Sequence, residues 1–444
     1  MPGSRKSSAM SRWLVIALAA LAALAPLPSR ADGELDPGFG TGGRTLVDTG
    51  FGQDFPLGLD LTPGDGHLVV TGYNLFITFQ GVRTELDADG ALVTSTVVPG
   101  TDAVWDAVWN DQGDGFLGGW QGTSVVLTGP PAWGPQWVLG PFTGFDVPRL
   151  AMGAREPPIG YVRGPYAGWT VAGNWLIVRT VFDFVNWNDW VFDPDWLGPT
   201  IGFDLGEDNR DVLADLAVFE LGGAERVVVA GWARSGAIGP SDSEFAVARI
   251  DAIGQLDATF GDLGRLSFAV NFDSSGRDEP RAVAVRPDGW IALAGFSGAS
   301  ENVSAGVVAL VPPDGALAGV ETATFRLGGH PTSFRDVSLI GDRIFVTGRI
   351  WDGTESDIVV ARLRRDLTLD PEFATGGWVR VDASGTHEND QALTLVLQNG
   401  LPVVAGEVAS ANFGAFAVVR LISALLFSDG FEGGTTALWT ATNP

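Results

Sequence analysis

Short apolar runs that end in a glycine recur along the chain, and they predict β-structure throughout. One copy reads Val228-Val229-Ala230-Gly231, and another reads Val403-Val404-Ala405-Gly406. The pattern ends seven times at a glycine, in steps of 47, 54, 58, 64, 53 and 58 residues, namely at Gly72, Gly119, Gly173, Gly231, Gly295, Gly348 and Gly406. Helical periodicity is almost absent. Recurrence at about this spacing indicates one supersecondary unit per copy, so we expect seven small β-sheets.

The better preserved copies contain the same four predicted strands. In the fifth copy, Ala282–Val285 alternates as a first strand, and Pro287–Gly289 forms a turn before the second strand, Trp290–Gly295. Val307–Val311 is the third strand, and a further Asp-Gly turn leads to an outer fourth strand. A four-stranded meander cannot bury both of its faces alone, whereas radial stacking of such sheets can. The sequence therefore predicts an all-β protein, a single closed seven-bladed β-propeller with four-stranded blades.

The two ends of the repeat region complement each other. In copies four and six, the third strand is followed by Leu256–Gly261 (LDATFG) and Leu369–Ala374 (LDPEFA). The seventh copy lacks this element after Leu421, but Leu35–Gly40 (LDPGFG) stands near the N-terminus and leads into a predicted strand at Arg44–Val47. Pairing of that strand with the third strand of the last blade would remove two open sheet edges. We therefore expect the N-terminal strand to complete the last blade.

These motifs resemble a known repeat family. Leu35–Gly43 followed by Arg44 is similar to the signature of the bacterial delta-60 repeat proteins, and Pro287–Gly295 resembles the middle of the same repeat. The resemblance implies export and a propeller-like fold, and it implies no particular activity. The C-terminal tail, residues 424–444, is similar to a short end segment of many secreted proteins of related bacteria.

The N-terminus has the layout of a secretory signal peptide. Arg5, Lys6 and Arg12 precede the apolar run Trp13–Leu27, and Ser29-Arg30-Ala31 supplies small residues for cleavage before Asp32. The alternative is a membrane anchor, but the run is short for a span of about 20 residues. We expect residues 1–31 to be removed, residues 32–423 to form the propeller, and the product to be periplasmic, cell-surface or extracellular. No later stretch is long and apolar enough to span a membrane.

The net charge limits the possible partners, and the cysteine content limits how the fold can be stabilised. The formal net charge is −26, and the only lysine is Lys6. Such a surface repels phosphate backbones, which argues against a nucleic-acid partner. Cysteine is absent, so a large apolar core rather than disulfides must stabilise the fold.

An acid often stands just before the first strand of a copy, and this position suggests a metal site. First strands line the axis of a propeller, so residues just ahead of them would surround one mouth of the channel. The set is Asp54, Asp102, Asp211, Asp278, Asp336 and Asp390. A ring of carboxylates could hold Ca²⁺, which takes six to eight oxygen ligands. The alternative is that each aspartate caps its own loop by accepting hydrogen bonds from nearby backbone amides.

Tryptophan is concentrated in one part of the chain. Ten of the sixteen tryptophans lie between Trp105 and Trp196. Exposed tryptophan rings suit sugars or partner proteins, which makes ligand-binding candidates of Trp175, Trp187, Trp190 and Trp196. The alternative is that these side chains are ordinary core residues between blades.

The sequence favours a non-catalytic exported binding or scaffold module for a protein or a glycan. No nucleophile elbow, phosphate-binding loop or zinc-ligand pattern is present, so we assign no catalytic residue and no cofactor other than the Ca²⁺ considered above. One alternative is a carbohydrate-active hydrolase or lyase that uses acidic residues at the channel mouth. A second alternative is a structural surface protein without a specific ligand.

Overall fold

The computed structural model describes residues 32–423 with several internal gaps. The gaps are residues 51, 76, 111–112, 130–136, 142–148, 153–160, 184–188, 194, 197, 199, 204–210, 235–241, 386–388 and 410–413. The described part of the chain contains 29 strands and no α-helix. None of its helical segments has the length and apolar character needed to cross a bilayer.

Seven antiparallel sheets form the seven blades, which confirms the predicted seven-bladed β-propeller. The first strand, β1 (Arg44–Val47), belongs to the last blade. Blade 1 contains β2 (Gln53–Leu61), β3 (Leu68–Leu75), β4 (Phe79–Leu86) and β5 (Leu92–Val97). Blade 2 contains β6 (Ala103–Trp109), β7 (Gly115–Gln121), β8 (Ser124–Thr128) and β9 (Trp137–Pro141). Blade 3 contains β10 (Arg149–Ala151), β11 (Tyr161–Val171), β12 (Asn174–Asp183), β13 (Asp189–Phe192) and β14 (Thr200–Ile201).

The remaining four blades each have four strands. Blade 4 contains β15 (Val212–Leu221), β16 (Ala224–Arg234), β17 (Ser243–Ile250) and β18 (Arg265–Phe268). Blade 5 contains β19 (Asp278–Val285), β20 (Ile291–Ser297), β21 (Ala305–Val311) and β22 (Glu321–Phe325). Blade 6 contains β23 (Thr332–Ile340), β24 (Arg343–Trp351), β25 (Ser356–Leu363) and β26 (Trp378–Val381). Blade 7 contains β27 (Asp390–Gln398), β28 (Leu401–Val408), β29 (Ala415–Arg420) and β1.

The N-terminal strand is the outer strand of blade 7. Arg44 lies opposite Val419, and Val47 lies opposite Phe416, in an antiparallel register. Val47 and Phe416 also belong to a buried cluster with side chains of blade 1, including Leu68. The N-terminal strand therefore packs where the last blade meets the first.

A bulge in the inner strand explains the repeat glycines. In six blades the pairing of the inner strand with the second strand skips one residue, for example Arg335 between Phe334 and Asp336. Opposite these bulges stand Gly72, Gly119, Gly231, Gly295, Gly348 and Gly406. A Cβ atom on any of the six would lie 2.0 to 2.2 Å from a carbonyl oxygen of the inner strand. Only glycine fits at this close approach of two backbones.

Blade 3 departs from this pattern, and the sequence interpretation of its glycine was wrong. Gly173 does not end a strand opposite the inner strand. It lies in the turn between β11 and β12 with a φ of +80°. Gly168 faces the inner strand instead, paired with Arg149. The apolar residues before Gly173 gave it the appearance of a repeat copy.

The core lies between adjacent blades rather than within any one of them. One cluster joins Ala294 and Val308 of blade 5 to Phe334 and Val359 of blade 6. Other clusters join blade 4 to blades 3 and 5, and blade 7 to blades 6 and 1. Each sheet thus buries its faces only against its neighbours, as radial stacking requires.

The LDxxF element that follows the third strand has one geometry in all three places. Its aspartate accepts a 2.9 Å hydrogen bond from an arginine Nε of the third strand, and that guanidinium lies over the phenylalanine ring. The three sets are Asp257, Arg249 and Phe260; Asp370, Arg362 and Phe373; and Asp36, Arg420 and Phe39. The motif is therefore a structural clamp between the third strand and its following loop, which we call the Asp–Arg–Phe clamp.

Candidate functional site

The inner strands of all seven blades line a central channel. The bulged residues of six inner strands, together with Arg149 of β10 in blade 3, line a cavity of about 180 Å³, whose wall includes Leu57, Trp105, Ala214 and Leu393. A second cavity of about 210 Å³ lies one step further along the inner strands. The bulges thus place side chains that belong to distant parts of the sequence around one axis.

Three arginines dominate the first cavity. Arg149 of β10, Arg281 of β19 and Arg335 of β23 line it, and no acidic side chain of the described residues does so. We call these three residues the arginine layer. Trp105 and Trp232 complete the wall with their indole rings. In a chain with a net charge of −26, this layer places three positive charges at one level of the channel, and the same arginines also border the second cavity.

The arginine layer is only partly neutralised. Arg281 donates to Glu279 at 2.7 Å, and Arg335 donates to both oxygens of Glu301 at 2.7 and 2.8 Å. The Nε–H groups of Arg281 and Arg335 are nevertheless buried without an acceptor. The Nε1–H group of Trp105 is also buried without one. Unsatisfied buried donors are costly, so an acceptor that reached these three groups would be stabilised.

Four aspartates line the second cavity: Asp60, Asp106, Asp215 and Asp336. We call them the aspartate layer. Three of them connect neighbouring blades, because each carboxylate accepts a backbone N–H of the next inner strand at 2.6 to 2.9 Å. The three N–H donors are Leu150, Val283 and Leu395.

Burial shifts the pKa values of the aspartate layer upwards. Desolvation is the main cause, and it raises the pKa of Asp60 and of Asp336 to about 7 and that of Asp106 to about 6. The pKa of Asp215 is raised for the same reason. Repulsion between the carboxylates adds to the shifts, whereas the positive charge of Arg149 opposes those of Asp106, Asp215 and Asp336. Burial in the channel and repulsion between neighbouring carboxylates thus favour the neutral, protonated form of these aspartates.

The six aspartates proposed from the sequence do not form one metal site. Four of them accept hydrogen bonds from a backbone N–H five to eight residues earlier: Asp54 from Thr49, Asp211 from Phe203, Asp278 from Val270 and Asp390 from Ser384. Asp102 accepts from Gly122, and Asp336 belongs to the aspartate layer. Among the described residues, the one group of three acids with ligand atoms close together contains only Asp390 of the six. The loop-capping alternative accounts for the positions of Asp54, Asp211 and Asp278.

The structure assigns two of the candidate tryptophans to the core. Trp175 is 0% and Trp196 is 3% exposed, and both pack between blades 3 and 4. Their rings are therefore unavailable to a ligand, which corrects the binding role proposed for them. Trp187 and the side chain of Trp190 lie outside the described residues.

Sequence reasoning missed the arginine layer because nothing local distinguishes its members. Arg281 and Arg335 stand 54 residues apart and occupy the bulged position of neighbouring blades. An alignment of the copies on their glycines would have placed the two arginines together, since each precedes its repeat glycine by a similar distance. The repeat glycine marks each bulge but does not indicate which residue type the bulge turns towards the axis.

Comparisons with known proteins agree with the fold. Residues 342–373 match the family described as "Domain of unknown function (DUF5122) beta-propeller". No curated protein matches the sequence of the chain.

Solved structures with similar architecture have unrelated functions. A catalytically inactive virginiamycin B lyase from Staphylococcus aureus is 10% identical, with 85% of this chain and 99% of that chain covered and a TM-score of 0.46. Sqt1 from Chaetomium thermophilum is 13% identical, with coverages of 88% and 98% and a TM-score of 0.46. The polysaccharide lyase Uly1 is 9% identical, with coverages of 91% and 95% and a TM-score of 0.45. Structural similarity at this level does not identify a ligand.

Proposed function

We propose that the chain is an exported, non-catalytic binding module, and that the arginine layer binds the carboxylate of an acidic glycan. The observation that carries this proposal is that Arg149, Arg281 and Arg335 line a cavity whose described lining residues include no acid. The Nε–H groups of Arg281 and Arg335 are also buried without an acceptor. Arginine suits carboxylate recognition because its fixed N–H groups match the two carboxylate oxygens.

The walls favour a sugar ring over a bare anion. Trp105 and Trp232 offer aromatic faces for stacking, and Leu57 and Leu393 add apolar contact. The free indole N–H of Trp105 would donate to a sugar hydroxyl. The cavity of about 180 Å³ is below the 300–1,000 Å³ typical of drug-sized pockets. We therefore expect it to hold one terminal uronate unit rather than an extended chain.

Two further parts of the proposal, export and the family placement, start from sequence motifs. Export follows from the signal-peptide layout of residues 1–31. Placement among the delta-60 repeat proteins is supported by the three Asp–Arg–Phe clamps, which use the residues of the repeat signature. The hydrolase or lyase alternative has less support, because the channel aspartates lie beyond the arginine layer and accept backbone N–H groups.

The test is calorimetric titration of residues 32–444 with a tetragalacturonate. We expect Arg281→Gln or Arg335→Gln to weaken binding about tenfold or more, because each removes a charge-assisted hydrogen bond. Affinity should also fall as salt is added. The matched control is Arg286→Gln, directly after β19, where the arginine pairs with Asp288 and Asp342.

The outcomes discriminate between ligand classes. A neutral glucan of the same length should not bind. Equal binding of neutral and acidic glycans, or full affinity in Arg281→Gln, would contradict the proposal. Binding of hexaglutamate but not of the uronate would assign the same arginines to an acidic peptide instead.

A further inference from the structure

Three acidic residues converge where blade 6 meets blade 7, away from the channel site. Asp357 is the second residue of β25, Asp382 directly follows β26, and Asp390 is the first residue of β27. One carboxylate oxygen of each lies within 4.8 Å of those of the other two. The strand ends that carry them belong to two different sheets, so the tertiary fold alone brings the acids together.

Two carboxylate oxygens at this place have no protein partner. Asp357 is 2% and Asp390 is 0% exposed, and the Oδ1 atom of each is buried without a hydrogen bond. Asp278 occupies the corresponding first position of β19, and there both oxygens accept backbone N–H groups. The corresponding strand start in blade 5 thus has no orphaned carboxylate oxygen. Unpaired buried carboxylate oxygens are costly unless a cation meets them.

The other oxygens hold the carboxylates in fixed orientations. Asp390 Oδ2 accepts the Ser384 N–H at 2.9 Å, and Asp382 Oδ1 accepts the Gly385 N–H at 2.7 Å. Asp357 Oδ2 accepts a hydrogen bond from Arg380 Nε. The backbone donors and the guanidinium therefore anchor one oxygen of each acid.

The arginine beside the cluster shares its charge among several acids. Arg380 is the cation that contacts Asp357, and it also pairs with Asp352 and Glu355. Arg44 donates to the backbone oxygens of Asp382 and Ala383 rather than to a carboxylate. Burial, with repulsion from Asp382 as a smaller cause, raises the pKa of Asp390 to about 6. Burial and repulsion between these carboxylates would both be relieved by a bound cation.

We propose that Asp357, Asp382 and Asp390 bind one calcium ion. The donor set consists of oxygens alone, with no His or Cys, which selects a hard cation. Calcium takes six to eight oxygens and accepts carboxylates in one- or two-oxygen modes, with water completing the shell. The ion would connect the third and outer strands of blade 6 to the inner strand of blade 7. This inference is independent of glycan binding.

The experiment is calorimetric titration of Ca²⁺ into EDTA-stripped protein at pH 7.5, with thermal melting in Ca²⁺ and in EDTA. We expect one site per chain and a higher Tm in Ca²⁺, because an ion that binds only the folded chain stabilises it. Mg²⁺ should bind more weakly, because it requires near-octahedral geometry and dehydrates reluctantly.

Asn variants locate the ion. Asp390→Asn and Asp357→Asn should each weaken Ca²⁺ binding by at least the roughly 10–100-fold that loss of a supporting partner costs. Asp382 is only half-buried, so Asp382→Asn keeps the test informative if the buried variants do not fold. The matched control, Asp278→Asn, removes a loop cap at the corresponding position and should retain full Ca²⁺ affinity.

Three results would overturn the proposal. They are the absence of Ca²⁺ binding by the unmodified protein, undiminished binding in the folded Asp382→Asn and Asp390→Asn variants, and an equal affinity for Mg²⁺. Loss of uronate binding with intact Ca²⁺ binding would bear on the channel site alone.

Discussion

At the residue scale, the Asp–Arg–Phe clamp shows why charged residues recur inside a largely apolar repeat. Arg249 is 2% exposed, and Asp257 accepts its Nε–H and that of Arg226, both at 2.9 Å. Burial raises the pKa of Asp257, but hydrogen bonds from Thr259 and the charge of Arg249 outweigh it, so the pKa is lowered overall. The ionised carboxylate is therefore the form that the folded chain uses.

We predict that Asp257→Asn destabilises the fold by about 3 kcal/mol, because it leaves a buried guanidinium without its counter-charge. Urea unfolding of the purified variant measures the change. The control is Asp251→Asn in the preceding turn, where the side chain accepts two backbone N–H groups that an amide oxygen also serves. Similar losses in the two variants would show that the clamp contributes hydrogen bonds rather than charge.

At the scale of the element, one bulge of the inner strand recurs in six of the seven blades. It requires glycine on the second strand, and it directs the bulged side chain towards the axis. The glycines could be predicted from the sequence because the close approach of the two strands excludes every residue that has a Cβ atom. It did not predict the arginine layer, because any side chain fits on the channel side of a bulge: Leu57, Trp105 and Ala214 occupy that position as well.

We predict that Gly348→Ala is strongly destabilising. Its Cβ would lie 2.0 Å from the Ser333 carbonyl oxygen, so two strands must separate, at a cost of about 3 kcal/mol or more. Gly329→Ala is the control, since it has a φ of +85° but open space around the new Cβ; backbone strain alone costs about 1–2 kcal/mol. If both variants melt alike, conformational strain rather than close approach explains the repeat glycines.

Blade 3 shows the limit of pattern reasoning at this scale. The motif was assigned to Gly173 because an apolar run precedes it, whereas the pairing partner of the inner strand is Gly168. Trp169 and Trp175 fill the core there, so bulky rings replace the small apolar residues of the other copies. The number of blades was nevertheless predictable. The misassigned glycine changes the strand register within blade 3, but one sheet still lies between blades 2 and 4.

At the scale of the whole molecule, the aspartate layer couples stability to pH. Asp60 and Asp336 have pKa values raised to about 7, from 3.8, and Asp106 has one raised to about 6. The folded chain therefore binds protons more tightly than the unfolded chain between about pH 4 and pH 7, so stability should fall as pH rises through that window. Groups with lowered pKa values, such as Asp257, change the stability only at pH values below this window.

We predict a larger free energy of unfolding at pH 5.5 than at pH 8, measured by denaturant titration in EDTA so that metal binding does not contribute. Asp336→Asn should flatten this dependence, because it removes one of the carboxyls that ionise in the channel. Asp366→Asn, at an exposed turn with a lowered pKa, should leave the slope unchanged. A free energy of unfolding that rises from pH 5.5 to pH 8 would contradict the assignment of neutral channel carboxyls.

The position of β1 in blade 7 also has a consequence for the order of events during synthesis. Asp36 and Arg420, which form one Asp–Arg–Phe clamp, are 384 residues apart in the chain. The N-terminal strand must therefore stay unpaired until β29 has been made, and blades 1 to 6 assemble while the ring is still open. Such long-range closure is slow, and an exposed strand invites pairing with other chains. The period before closure is thus when this molecule is most prone to exchange strands with a second copy.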